Sequence, residues 1–136
     1  VPDDNDLPTD DHPLFDSGAQ LRSHVLGADH VARNGGTDYD AATPLQRLMT
    51  EVGWGTFWPR GVLELRERSI VTVSMLIALN RPHELRTHLS GALNNGVTVD
   101  QLRELIIHAV PYCGFPAAID AMGVFDALLA DRDDAR

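Results

Sequence analysis

Cysteine is nearly absent: Cys113 stands alone among 136 residues, so no internal disulfide can form. That excludes a disulfide-stapled secreted scaffold and makes a cytoplasmic setting the expectation. Basic charge is short as well. Eleven Lys and Arg face 20 Asp and Glu, a formal net charge of −9. Such a field disfavours nucleic acid and anionic membranes as partners, and an anionic ligand would need a local basic pocket. Long apolar runs are missing too. The longest, Ile70 to Leu79, is interrupted by Thr72 and Ser74 and is too short to span a bilayer. The opening Val-Pro-Asp-Asn-rich stretch has neither the basic region nor the apolar stretch of a signal peptide. There is no Gly-rich phosphate loop, no Ser/His/Asp order and no Cys-x-x-Cys.

Hydrophobic residues make up 43% of the chain, enough for one domain with a real core. A domain this short leaves much of its surface exposed, so self-association would help to cover apolar faces. Residues 1–13 read as a mobile acidic arm, 14–130 as the helical domain and 131–136 as a charged, frayed tail. The spacing predicts five to six helices and no strand, an all-α fold. A first helix runs from about Leu14 to Val25, and Asn34-Gly35-Gly36 breaks the chain. A second starts near Ala42 to Pro44 and ends around Gly53. Trp54 to Gly61 reads as an irregular aromatic loop. A third helix from Val62 to Asn80 is apolar nearly all round in its second half and should be the central buried helix. Pro82 opens a fourth, which stops at Asn94-Asn95-Gly96. Thr98-Val99-Asp100-Gln101 forms a capping box for a fifth, reaching Cys113. Gly114 and Pro116 precede a sixth helix that ends near Leu129.

Four groups of residues carry possible chemistry. Glu84 and His88 are neighbours one helical turn apart at the edge of an apolar stripe. A carboxylate there orients the imidazole and raises its pKa, which suits general acid/base work; the plainer alternative is an inconsequential surface contact. Arg60, Arg66 and Arg68 stand close to Trp54 and Trp58. They suit carboxylate capture beside an indole wall, or else salt bridges with Glu64 and Glu67 around core tryptophans. His83, His88 and His108 match no metal-ligand spacing, so no metal is expected. Cys113 falls in a core register and reads as a small buried hydrophobe rather than a nucleophile.

Taken in order, the motifs resemble those of the γ-carboxymuconolactone decarboxylase family. They are Arg22 with Val25-Leu26-Gly27-Ala28-Asp29-His30-Val31, then Trp54-Gly55-x-x-Trp58-x-Arg60, then Leu63 with Arg68-Ser69-x-x-Thr72. Glu84-Leu85-Arg86-x-His88-Leu89 and Asn94-Asn95-Gly96-Val97-Thr98 follow, and Glu104-Leu105-Ile106-x-His108, Tyr112-x-Gly114 and Pro116-Ala117 complete the set. The resemblance covers about Gln20 to Met122. It implies an alkylhydroperoxidase D-like fold that assembles as a homohexamer or homotrimer. Related peroxidases carry a Cys-x-x-Cys near the places held here by Arg81 and Glu84, so thiol peroxidase chemistry is excluded.

The reaction implied is cofactor-free loss of CO₂ from γ-carboxymuconolactone, an anionic lactone, in aromatic breakdown by the β-ketoadipate route. The lactone carbonyl serves as the electron sink. The roles implied are His88 as general acid/base or enolate hydrogen-bond donor, oriented by Glu84; Arg22, Arg60 and Arg68 as carboxylate ligands; and Trp54, Trp58 and Tyr112 as walls. Leu65 departs from the pattern, since catabolic members usually carry a basic residue there. His24, Gly61-Val62 and Ala41 to Leu48 are also atypical. These departures admit a different lactone or keto-acid substrate in specialised metabolism, or a non-catalytic helical oligomeric module.

Overall fold

A computed structural model describes residues 11–135. The acidic arm assigned to residues 1–13 therefore lies mostly outside the described residues. The chain order is α1 (Pro13–Leu26), α2 (Ala28–Arg33), α3 (Pro44–Leu48), a π-helical segment (Met49–Phe57), α4 (Leu65–Ala78), α5 (Pro82–Asn94), α6 (Val99–His108), α7 (Val110–Cys113) and α8 (Phe115–Asp134). No strand occurs among the described residues.

Local sequence explains most of the boundaries. Pro13, Pro44, Pro82 and Pro116 sit in first turns, where a missing N–H costs nothing. Thr98 and Gln101 cap α6 reciprocally, as do Thr43 and Gln46 for α3. Gly96 takes φ 85°, and the Val97 N–H closes back on the Ala92 carbonyl at 2.9 Å. This is the left-handed helix stop that the Asn-Asn-Gly run suggested.

The core lies among four helices. Val73 and Ile77 of α4 meet Leu85 and Leu89 of α5, Leu102 and Ile106 of α6, and Phe125 of α8, all buried. Against this layer α1 packs at close range. A Cβ on Gly91 of α5 would stand 3.0 Å from Leu26 and 3.2 Å from Val25. The π segment packs on α1 backbone to backbone. A Cβ on Gly18 would come within 2.3 Å of the Thr50 carbonyl oxygen, and one on Gly55 within 2.4 Å of the Leu14 carbonyl oxygen.

Several boundaries differ from the sequence reading. Trp54 lies within a helix, not an irregular loop, because the chain continues past α3 with i→i+5 hydrogen bonding as far as Phe57. The next helix begins at Leu65, capped by Glu64 and Glu67, and leaves Val62 90% exposed. That helix is central on one side only. Ser69, Val73 and Ile77 are buried, while Val71, Met75 and Leu79 form an exposed apolar stripe. The helix predicted up to Cys113 is two, α6 and α7, with Pro111 in the first turn of the second. Finally, α8 runs on to Asp134, past the expected end at Leu129. Arg86 of α5 pairs with Asp131 at 2.5 Å, and Arg132 donates to Ser90 Oγ at 3.2 Å, which ties this last turn down.

Candidate active site

The amphipathic face of α5 has two borders. Leu85, Leu89 and Ala92 turn to the core, and His83, Glu84, Thr87 and His88 turn to a cavity of about 300 Å³. From α1, Arg22 and Leu26 come one turn apart to the opposite wall. His30 and Asn34 enter from α2 and its end, Gln46 from α3, and Met49 and Trp54 from the π segment. In a helix with i→i+5 bonding, residues five apart line up, which is why Met49 and Trp54 share a wall.

Trp54 is buried and stacks on Trp58, with ring centroids 4.6 Å apart and 20° between planes. Both indoles lie nearly parallel to the His88 ring, at 6.2 Å and 6.0 Å. Screened in this way from water, His88 titrates well below the ordinary histidine value of 6.5, at about 4. Burial is the main cause and the neighbouring His30 adds to it, while Glu84 pulls weakly the other way. The sequence reading had the sign reversed: it counted the carboxylate and could not count the desolvation. Nor does Glu84 grip the ring. Among the described residues no hydrogen bond or ion pair joins Glu84 to His88, although both line the cavity. At neutral pH, His88 is thus a neutral imidazole, with one N–H to donate and one nitrogen to accept.

Arg22 is only 5% exposed. Its Nη2 donates to the Asn34 carbonyl at 2.8 Å, and its buried Nε has no hydrogen-bond partner among the described residues. Burial lowers its pKa, yet an arginine remains charged. A buried guanidinium with an unmet donor, on the wall of a cavity, is suited to a carboxylate.

The other residues singled out from sequence do not all converge. Arg68 lies behind Trp58, against a separate space of about 110 Å³, and donates to the Arg60 carbonyl. Arg60 itself is exposed. Leu65 packs against the cluster of Val25, Leu26, Val31 and Trp54 and does not line the cavity. Tyr112 is 78% exposed, beside His108, away from this site within one chain. Arg66 donates to Gln101 Oε1 at 2.5 Å and so braces α4 against α6. Sequence reasoning gave no role to His30, Asn34, Gln46 or Met49. For His30 the signal was present, since it sits inside the Leu-Gly-Ala-Asp-His motif. Among the described residues no three of His, Cys, Asp and Glu come together in a way that could hold a metal ion. No helix of the described residues is long and apolar enough to cross a membrane.

Residues 43–127 match the carboxymuconolactone decarboxylase family. The chain belongs to that family. It is 40% identical over 121 residues to the nitrosuccinic acid decarboxylase npaB of Metarhizium robertsii, covering 89% of this chain and 85% of that one. It is 39% identical over 121 residues to the 4-carboxymuconolactone decarboxylase of Acinetobacter baylyi, covering 89% of this chain and 90% of that one. As a member this similar to two decarboxylases, the chain is a decarboxylase.

Proposed function

We propose that this decarboxylase acts, without a cofactor, on a small dicarboxylic acid that carries its own electron sink, with γ-carboxymuconolactone as the substrate. The observation that carries the reading is the joint position of Arg22 and neutral His88 on one cavity beside the Trp54 wall. Arg22 holds the carboxylate that is retained. The carboxylate that leaves lies toward the indole. When its C–C bond breaks, the electron pair passes through the ring double bond to the lactone carbonyl oxygen, and CO₂ departs. The N–H of His88 donates to that oxygen as negative charge gathers on it, in surroundings where a hydrogen bond counts for more than it does in water. Collapse of the enolate then takes one proton at carbon.

A second reading has its own support. The nitrosuccinic acid decarboxylase is as similar to this chain as the lactone enzyme is. A nitro group beside a carboxyl is an equivalent sink, because the electron pair comes to rest on nitro oxygen. Among the described residues Arg22 is the one arginine that lines the cavity, which also fits a smaller acid.

The test is an ultraviolet assay of the purified protein with each acid, with CO₂ followed in parallel. Rapid turnover of γ-carboxymuconolactone places the enzyme in aromatic catabolism. Turnover of nitrosuccinate alone replaces that reading with the second. In either case His88→Ala is expected to lower kcat by about 10²–10⁴-fold in a folded protein, and unchanged turnover removes His88 from the mechanism.

We also infer that the chain self-associates as a trimer or hexamer. Met75 at 59% and Leu79 at 66% exposure continue the Val71 stripe, and Phe115 and Ile119 form another exposed apolar patch beside Tyr112. Sedimentation as a single-chain species would refute it.

A further inference from the structure

His30 stands on a boundary. The cavity that holds Arg22 and His88 adjoins a second depression of about 520 Å³, open to solvent as the first is, and His30 lines both, as do Leu26, Asn34, His83 and Thr87. Arg22 and His88 line only the first. We propose that His30 is the proton carrier of the reaction: it takes a proton from solvent through the second depression and gives it to the carbon at which the enolate closes, next to the carbonyl in the lactone and at the nitro-bearing carbon in the nitro acid. The proposal rests on the reading of the first cavity as the place of decarboxylation.

The chemistry demands such a group. Each turnover breaks one C–C bond, releases CO₂ and needs one proton to close the product. Arg22 does not release protons. Neutral His88 is suited to donating a hydrogen bond to an oxyanion, and a neutral imidazole is a very weak acid toward carbon. His30 is half-buried and lines the two spaces at once. Its place relative to Arg22 is fixed through the backbone. Asn34 Nδ2 donates to the His30 carbonyl at 2.8 Å, and Arg22 Nη2 donates to the Asn34 carbonyl at 2.8 Å.

The charges around His30 then provide a trigger. Arg22 faces it from α1, Asp29 and Arg33 belong to its own helix, and His83, Glu84, Arg86 and His88 face it from α5. Desolvation comes first and Arg22 and Arg33 next in disfavouring the imidazolium, with His83 adding to them. A substrate carboxylate seated on Arg22 cancels one of those positive charges. Substrate binding therefore favours the protonated form of His30. After CO₂ leaves, the electron pair of the enolate forms the new C–H bond, the N–H bond of His30 breaks, and neutral His30 is reprotonated from solvent through the second depression.

The test is calorimetric binding of succinate, which has two carboxylates but no sink and so stays intact, in buffers of differing ionisation enthalpy at pH 7. The wild-type protein is expected to take up a measurable fraction of a proton on binding, because the bound carboxylate offsets the charge of Arg22. His30→Gln should bind succinate with little or no uptake. With whichever acid is turned over, its kcat should fall by about 10²–10⁴-fold at little-changed KM. Proton uptake retained in His30→Gln, uptake lost instead in His83→Gln, or no uptake by the wild type would each overturn the proposal. His30-dependent uptake in a protein that turns over neither acid would support it and retire the substrate assignment instead.

Discussion

Two regions of this molecule differ in how much apolar core they contain and in what is added to it. The α4, α5, α6 and α8 layer is an apolar core in which side chains such as Leu89 and Phe125 are wholly buried. The layer of α1, α2 and the π segment has smaller apolar clusters, around Val25, Val31 and Trp54 and around Phe15 and Ala19, and adds to them close backbone approach at Gly18 and Gly55 and polar ties to carbonyls. Examples are Arg22 to Asn34 and Asn94 Nδ2 to the Val25 carbonyl at 2.9 Å. The cavity lies on the seam between them. The larger apolar core thus lies in one layer, and most of the cavity wall belongs to the other. That division is what substitutions can break.

The largest effect is expected from Phe125→Ala, deep in the apolar layer, at about 3–5 kcal/mol of stability by chemical denaturation. Activity per folded molecule should hold. If kcat falls in step with stability, the layers are not separable.

Acid comes next. His88 holds its pKa near 4 in the folded chain against 6.5 ordinarily. Above pH 6.5 both folded and unfolded forms are neutral, and this group contributes no pH dependence. Between pH 6.5 and about 4 the unfolded chain binds a proton that the folded chain refuses, so stability declines as pH falls, by on the order of 2–3 kcal/mol. His88→Gln should flatten that part of the profile in urea titrations at stepped pH. An unchanged slope would mean that His88 is not screened from water.

Gly55→Ala should cost about 1–3 kcal/mol by overpacking. Because it pushes the π segment off α1 and carries Trp54 with it, kcat/KM should drop more than the stability loss explains. Matched losses in the two measurements would show the seam to be as forgiving as a surface.

Much of this was legible beforehand, and the exceptions have physical causes. Helical spacing gave α5 and the bodies of α4 and α6 because one-sided burial imposes it. The Thr98–Gln101 box and Gly96 marked ends because capping chemistry is local. The π segment was read as part helix and part loop, since two Trp among Gly and Pro look alike in either state and the register is not a property of composition. Arg22, read from the motifs as a candidate carboxylate ligand, lies on the cavity, whereas Arg60, Arg68 and Tyr112, grouped with it by motif, do not line it within one chain. The direction of the His88 shift was missed because sequence displays its neighbour one turn away but not the two indoles that shield it.

The π segment has one more consequence. Its bonding register holds one residue more per turn than an α-helix would. Deleting a single residue between Met49 and Gly53 would let the segment relax to ordinary α-helix and turn Trp54 by roughly 100° relative to α3. Such a chain would keep both tryptophans, His88 and Arg22, yet have no aromatic wall. In this stretch the spelling is less informative than the count, and two relatives of equal composition but unequal length would be expected to differ in what they accept.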